Sequence, residues 1–317
     1  MRENPLPVSR RHRADRLSGI SGELSFRAMG TDAHVVVVGG DEALADLARR
    51  RIFALERRWS RFLPDSEVSR LNAEAGDFVS VSPETVDLVA RAIVGWRITG
   101  GAFDPTVLGD VVRAGYDRSF ELLDGREGHS DLDLGCTDIA VREDAVRLPR
   151  GTGFDAGGIG KGLAADLVAA DMIDAGADGV CINLGGDLRV LGAGPAGGHW
   201  TVAVDHPWFD EPVALIGLEE GGVATSTTLG RAWIAGGERR HHLVDPDTGN
   251  PSTTDLTLAT VVTGEAWMAE VLAKSIMLRG SARAFDLLDP YTAALVVEND
   301  RSVRFSDAFA AFTGAAA

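Results

Sequence analysis

Four glycines, one isoleucine and one lysine occupy the six positions from residue 157 to residue 162. Glycine lets the backbone approach a bulky ligand closely, and Lys161 offers that ligand a positive charge. A helix is predicted to begin in this loop, and the first N–H groups of a helix have no partner within it. The segment is therefore predicted to hold an anion, most simply a phosphate. The alternative is a turn whose glycines only let the helix pack closely.

The two common phosphate-binding motifs do not explain this loop. In a Walker A motif, glycine would stand at position 155 and serine or threonine at position 162, but the chain has Asp155 and Gly162 there. A G-x-G-x-x-G pattern over residues 192–197 leads into a predicted strand and not into a helix, so it is interpreted as a plain loop. The loop at 157–162 is thus predicted to be a non-standard phosphate site.

A second group of reactive side chains lies in residues 241–251, HHLVDPDTGNP. Val244 is predicted to end a strand, after which the aspartates, prolines and glycine make rigid turns. Histidine titrates near neutral pH, so His242 is a candidate for proton transfer, with Asp245 as the group that orients it. The alternative is a turn aspartate that caps its own backbone beside a strand histidine.

The composition of the 317-residue chain limits its classes of partner. Hydrophobic residues make up 45% and charged residues 25%, which is typical of a globular protein. The net charge of −16 argues against nucleic acid or an anionic membrane as the main partner, because both require a basic surface. It leaves room for a local basic pocket. Two cysteines are too few for a disulfide framework, and no membrane span is apparent, so the protein is predicted to be cytoplasmic.

The hydrophobic pattern favours an α+β fold over a doubly wound parallel sheet, because helices alternate irregularly with hairpins. Helices are predicted over residues 41–58, from Pro83 to just before Gly100, from the glycine loop to about residue 175, and from a cap at Thr263 to residue 278. Strands are predicted at 24–27, 35–38, 179–184, 187–191, 201–204, 213–218, 222–225, 232–235 and 242–244. Residues 1–20 are predicted to be a flexible tail and residues 21–317 one domain.

Taken in order, seven segments resemble motifs of the ApbE family, the FAD:protein FMN transferases. The segments are AMGT at 28–31, PDSEVSRLN at 64–72, GAFDPT at 101–106, the glycine loop at 155–162, NLGGD at 183–187, ATS at 224–226 and residues 242–251. The resemblance covers about residues 24–290. It implies an ApbE-like fold with mixed or antiparallel sheets and packed helices. It also implies an enzyme that transfers FMN from FAD to a threonine or serine hydroxyl of an acceptor flavoprotein and releases AMP.

The resemblance also implies roles for individual residues. It places Lys161 against the pyrophosphate and His242 beside the acceptor hydroxyl, and the turn chemistry described above adds Asp245 as a third catalytic residue that orients His242. Phe62 stands where many relatives have tyrosine, so a ring remains but a hydroxyl is lost. The residues implied to bind FAD are Met29, Phe62, Ala102, Phe103, Asp104, Gly157, Lys161, Leu163 and Ser252.

A divalent cation, usually Mg²⁺, is also implied, with ligands at Gly160, Glu270 and Lys274. The sequence departs from the family here, because relatives have aspartate and threonine at the last two positions. A protonated lysine cannot ligate a cation, and Glu followed by Lys four residues later favours a helical ion pair. A retained magnesium site and a salt bridge in its place both stay open. Two alternatives to transfer therefore stay open as well: an FAD-binding protein without transferase activity, and an FAD pyrophosphatase.

Overall fold

The computed structural model describes residues 19–313, so residues 1–18 of the predicted tail lie outside the described part of the chain. The strands are β1 (Ile20–Ala28), β2 (Thr31–Val38), β3 (Val79–Ser80), β4 (Ala140–Val141), β5 (Ala145–Arg147), β6 (Gly179–Leu184), β7 (Asp187–Gly192), β8 (Trp200–Val204), β9 (Ala214–Leu218), β10 (Gly221–Thr227), β11 (Ala232–Ala235), β12 (Glu238–His241), β13 (Val244–Asp245), β14 (Asn250–Pro251), β15 (Leu256–Thr263), β16 (Ala293–Glu298) and β17 (Val303–Phe305). The helices are α1 (Leu44–Trp59), α2 (Glu67–Ala73), α3 (Pro83–Ile98), α4 (Leu108–Arg113), α5 (Gly160–Asp174), α6 (Ala266–Arg279) and α7 (Ala310–Thr313).

Eight strands form one sheet in the order β1-β2-β6-β7-β10-β15-β16-β17, and every neighbouring pair is antiparallel. Helices α1, α5 and α6 cover one face. The β8–β9 hairpin contributes Trp200 and Ile216 to the core on the other face. The sheet therefore lies between a helical layer and a hairpin layer, which confirms the predicted α+β class.

The valine run of β2 fits a strand that is buried on both faces. Val35 and Val37 pack with the helical layer, while Val36 and Val38 belong to the core under the β8–β9 hairpin. Successive side chains of a strand point to opposite faces, so such a strand needs apolar residues at every position.

Local signals set the ends of α3 as predicted. Ser82 precedes the helix and its hydroxyl accepts a hydrogen bond from the N–H of Thr85, while Pro83 occupies the first turn. Gly100 follows the helix with a φ of +61°, a conformation that glycine adopts at little cost.

Two predictions of local structure are wrong, and a tertiary contact explains the first of them. Thr263 does not cap the following helix: it ends β15, and α6 begins at Ala266. The Asp166 carboxylate of α5 accepts hydrogen bonds from the N–H groups of Ala266 and Trp267, each at 2.9 Å. Of the predicted strand at 242–244, only Val244 lies in a strand of the described structure, because His242 and Leu243 connect β12 to β13.

Three strands of the eight-stranded sheet, β15, β16 and β17, are missing from the sequence prediction. β15 and β16 are almost entirely buried and carry apolar residues without polar alternation. Among residues 19–313, no helix combines the length and the apolar character needed to cross a membrane.

Candidate active site

A cavity of about 510 Å³ opens beside the start of α5. Its wall is formed by the glycine loop at 155–162, by aromatic side chains that follow α1 and α4, and by Arg231, His242 and Lys274. Five cationic side chains and three carboxylates line it, so the cavity is locally basic in an acidic chain. The cationic residues are Arg57, Arg61, Lys161, Arg231 and Lys274, and the carboxylates are those of Glu56, Glu121 and Asp155.

Met29 reaches the cavity from the tight turn between β1 and β2. Met29 and Gly30 both have positive φ, +52° and +68°, which is unusual for methionine. The N–H of Met29 donates to Oε1 of Glu56 at 2.7 Å. Burial raises the pKa of the Glu56 carboxyl, against the effect of this hydrogen bond. The contact holds the turn against α1, and Met29 lines the cavity.

An aromatic wall, formed by Phe62, Tyr116 and Phe120, closes one end of the cavity. The ring centroids of Phe62 and Tyr116 are 5.7 Å apart, and those of Tyr116 and Phe120 are 6.2 Å apart. The Arg61 guanidinium lies 4.2 Å from the centroid of Phe62 and 4.8 Å from that of Tyr116, and its Nε is 3.4 Å from Oδ2 of Asp155. The wall therefore combines flat apolar surface with a fixed cation.

The glycine loop is held by segments that are distant in sequence. The Asn72 amide donates to the carbonyl of Phe154 at 3.0 Å and accepts from its N–H at 2.7 Å. The next N–H, of Asp155, donates to the carbonyl of Pro105 at 2.8 Å. Three segments predicted separately thus meet at one place.

Most N–H groups of the loop already have acceptors within the protein. The N–H groups of residues 158–160 donate to the carbonyl of Ala156 at 2.8 to 3.2 Å. That of Gly157 donates to Oδ1 of Asp155 at 2.8 Å, and that of Gly162 to a buried carboxylate of α6 at 2.8 Å. The start of α5 is therefore already satisfied by protein oxygens, and a ligand phosphate must be met largely by side chains.

Lys161 pairs with two carboxylates. Its Nζ contacts Oδ2 of Asp187 and Oε1 of Glu270, and Oε2 of Glu270 accepts the N–H of Gly162. Burial acts to lower the pKa of Lys161, but the two carboxylates outweigh it and raise the pKa. Burial also raises the pKa of the Asp187 carboxyl, while Lys161 acts in the opposite direction. Lys161 lines the cavity, and the carboxylates of Asp187 and Glu270 balance its charge.

Lys274 enters the cavity one turn after Glu270 on α6. It is 9% exposed, and its Nζ is 5.8 Å from the ring centroid of Phe103. The intrahelical ion pair with Glu270 does not form among the described contacts, because the Glu270 oxygens are turned to Lys161 and Gly162. Burial lowers the pKa of Lys274, against the attraction of the nearby carboxylates.

His242 contributes an imidazole that carries no charge at neutral pH. Its Nδ1 is buried and has no hydrogen-bond partner among residues 19–313. Burial, reinforced by the charges of Arg231, Lys274 and Lys161, holds the pKa of His242 well below 6.5. His242 lines the cavity, and its neutral ring is able to accept a proton.

Asp245 takes the turn role that the sequence left open as an alternative. Its Oδ1 accepts the N–H of Asp247 at 2.9 Å, and its carbonyl accepts those of Thr248 and Gly249. Among the described residues, no hydrogen bond joins Asp245 to His242.

The predicted FAD residues divide into two groups. Met29, Phe62, Gly157 and Lys161 line the cavity, together with Gly160 of the predicted metal set. The others are not among its lining residues in the described structure: these are Ala102, Phe103, Asp104, Leu163 and Ser252. Phe103 and Leu163 are buried core residues, and Oδ1 of Asp104 accepts the N–H of Thr106 at 2.7 Å. These buried residues support the wall.

The cavity residues that escaped sequence reasoning include Arg61, Tyr116 and Arg231. Arg61 directly precedes Phe62 in the sequence, but its guanidinium also packs against the ring of Tyr116, which belongs to a distant segment. Arg231 donates to the carbonyl of Gly30 at 3.2 Å and to the Tyr116 hydroxyl at 3.4 Å. No local pattern connects residues so far apart in the chain.

Gly162 allows α5 to cross α6 closely, and its replacement by alanine is expected to destabilise the fold. A Cβ at Gly162 would lie 2.4 Å from the carbonyl oxygen of Ala266 and 2.7 Å from Cα of Trp267. Alanine normally stabilises a helix interior by about 0.5–1 kcal/mol relative to glycine. Here we expect the free energy of unfolding to fall by about 1–3 kcal/mol, because the backbones of α5 and α6 must move apart. Urea denaturation measures this loss.

The matched control is Gly264→Ala, since no atom lies within 4 Å of a Cβ built at that position. Its free energy of unfolding should stay within about 0.5 kcal/mol of the wild-type value. If Gly162→Ala is as stable as the control, α5 and α6 do not cross as closely at Gly162 as described.

Comparison with known proteins places the chain in a family. Residues 29–296 match the ApbE family. The FAD:protein FMN transferase of Haemophilus influenzae is 26% identical over 92% of this chain and 91% of its own length. That of Treponema pallidum is 28% identical over 76% of this chain and 73% of its own length.

Solved structures agree with this assignment. The ApbE protein of Thermotoga maritima has a TM-score of 0.83 and 24% identity, covering 92% of this chain and 98% of that one. The flavinyl transferase ApbE of Pseudomonas stutzeri has a TM-score of 0.80 and 23% identity, covering 93% of this chain and 97% of that one. Because the family match spans most of the chain and the fold agrees, the chain belongs to the ApbE family.

Proposed function

We propose that this protein is an FAD:protein FMN transferase that moves FMN from FAD to a threonine or serine hydroxyl of an acceptor flavoprotein. One observation carries the proposal: a single cavity joins an aromatic wall, a lysine-bearing glycine loop and a neutral histidine. Its volume of about 510 Å³ is within the range of small-molecule sites, about 300–1,000 Å³. The names of the relatives from Haemophilus influenzae and Treponema pallidum support the same activity.

The proposed step is a displacement at phosphorus. The acceptor hydroxyl oxygen forms a bond to the phosphorus of the FMN half, and the bond from that phosphorus to the bridging oxygen breaks. AMP leaves with the bridging oxygen and its electron pair, while the neutral imidazole of His242 takes the hydroxyl proton. Cationic side chains in the cavity offset the charge that develops on the phosphate oxygens. Asp245 stays a proposed support for the segment that carries His242.

A magnesium ion was also predicted, but the donor set does not fit one. Glu270 already uses one oxygen for Lys161 and the other for the N–H of Gly162. The ammonium of Lys274 has only donors, and its charge would repel the ion. Residues 19–313 contain no group of three or more His, Cys, Asp or Glu side chains arranged to hold a metal. No step of the proposed reaction is routed through magnesium.

The test is to incubate the full chain with FAD and a panel of flavoproteins that carry candidate threonine or serine acceptors. A cytoplasmic location, which we also propose, makes cytoplasmic flavoproteins the first choice. Intact-mass spectrometry should find one acceptor heavier by one FMN less one water. FAD binding without an adduct on any acceptor would favour a binding protein, and AMP release without an acceptor would favour a pyrophosphatase.

The proposed base predicts the pH dependence of transfer. Because the pKa of His242 is held well below 6.5, the neutral imidazole persists as the pH falls through 6.5. The acid limb of the kcat/KM profile for FAD should therefore lie below pH 6.5, and activity should fall only at lower pH. Steady-state rates of adduct formation between pH 5 and 8 measure it. A half-maximal rate at or above pH 6.5 would argue against His242 as the base.

A further inference from the structure

The chain contains two lysines, Lys161 and Lys274, and both line the cavity. All other basic side chains, apart from the histidines, are arginines. An ammonium is a compact charge with three donors, which suits phosphate oxygens approached from one side. The use of lysine only here points to a chemical reason for both positions.

The two lysines differ in what surrounds them. Lys161 is paired with Asp187 and Glu270. Lys274 is buried, only 9% exposed, yet it has no hydrogen bond or salt bridge to any residue between 19 and 313. A buried charge without a partner is costly, so an anion from outside the protein is expected to meet it.

The glycine loop leaves room for the Lys274 side chain. A Cβ at Gly158 would lie 2.9 Å from Cδ and 3.0 Å from Nζ of Lys274. The ammonium therefore lies directly against the loop backbone, with the Phe103 ring on another side, 5.8 Å from Nζ to its centroid. This arrangement fixes the charge at the place where loop and cavity meet.

We propose that Nζ of Lys274 binds the pyrophosphate of FAD directly and serves as the fixed cation of the site, so that FAD binding and FMN transfer need no divalent ion. This inference rests on the proposed function. Lys274 would donate hydrogen bonds to the phosphate oxygens and offset the charge that gathers on the leaving AMP. A metal at the same place would face this ammonium and a Glu270 carboxylate that is already engaged.

The experiment measures the FAD affinity of the full chain by calorimetry, in EDTA and in magnesium chloride. The wild-type chain should give the same dissociation constant in both buffers. Lys274→Met keeps an unbranched side chain without the charge, and it should weaken FAD binding by about 10- to 150-fold in EDTA. Gly158→Ala should also weaken binding, because its methyl displaces the ammonium. Arg50→Met is the matched control, since Arg50 is an exposed cation outside the cavity, and it should bind FAD as tightly as the wild type.

Thermal unfolding separates a binding role from a structural one. Lys274→Met should unfold at the same temperature as the wild type or higher, because it removes an unpaired buried charge. Wild-type binding that weakens by about tenfold or more in EDTA, or Lys274→Met that binds FAD as tightly as wild type, would overturn the inference. If FAD affinity is insensitive to EDTA but no acceptor gains FMN, the transferase proposal fails while the role of Lys274 in FAD binding stands.

Discussion

Replacing His242 by alanine should lower the rate of FMN transfer by about 10²- to 10⁴-fold, the usual contribution of a general base. The buried Nδ1 has no protein partner among residues 19–313, so its loss breaks no described side-chain hydrogen bond. FAD affinity and thermal stability should therefore change little. Single-turnover rates of adduct formation at saturating FAD isolate the chemical step.

The matched control for this prediction is His199→Ala, since His199 is exposed and lies outside the cavity. Its transfer rate should equal the wild-type rate. A His242→Ala protein that transfers FMN at a rate close to wild type would remove His242 from the mechanism, whatever its affinity for FAD.

Replacing Glu270 by alanine should destabilise the fold by about 3–5 kcal/mol, the cost of breaking a buried ion pair from one side. Glu270 is 3% exposed and joins Lys161 to the N–H of Gly162. Its removal leaves a buried ammonium with one carboxylate and leaves the start of α5 without its acceptor. Urea denaturation at neutral pH gives the change in the free energy of unfolding.

Two further variants test the cause of this loss. Glu270→Gln keeps an acceptor for Gly162 and should lose less stability than alanine. Glu127→Ala removes a carboxylate that is 62% exposed and paired with Arg240, so it should cost less than about 1 kcal/mol. If Glu270→Ala and Glu127→Ala lose similar amounts of stability, the buried cluster does not support the fold as described.

The fold class and the family could be predicted from the sequence because the signals for both are local. Ser82 and Pro83 mark the start of α3 by backbone chemistry alone, and the glycine at position 100 marks the turn that follows its end. The valine run of β2 predicts a strand without any knowledge of its neighbours. The start of α6 was beyond reach, because its cap is Asp166 of another helix.

The site was predicted only in part for the same reason. Met29 and Gly157 belong to loops with recognisable motifs, and both line the cavity. The charge balance could not be read from motifs, because Glu270 pairs with Lys161 across two helices and not with Lys274 one turn away. Burial then leaves Lys274 as a cation without a protein partner among the described residues.

A crystal structure of the full chain grown with FAD and magnesium chloride tests the account most directly. We predict that a ring of FAD lies against Phe62 and Tyr116, and that a pyrophosphate oxygen is within hydrogen-bond distance of Nζ of Lys274. The imidazole of His242 should lie beside the phosphate of the FMN half. FAD bound outside the cavity, or a metal ion between Glu270 and the pyrophosphate with Lys274 turned away, would contradict the account.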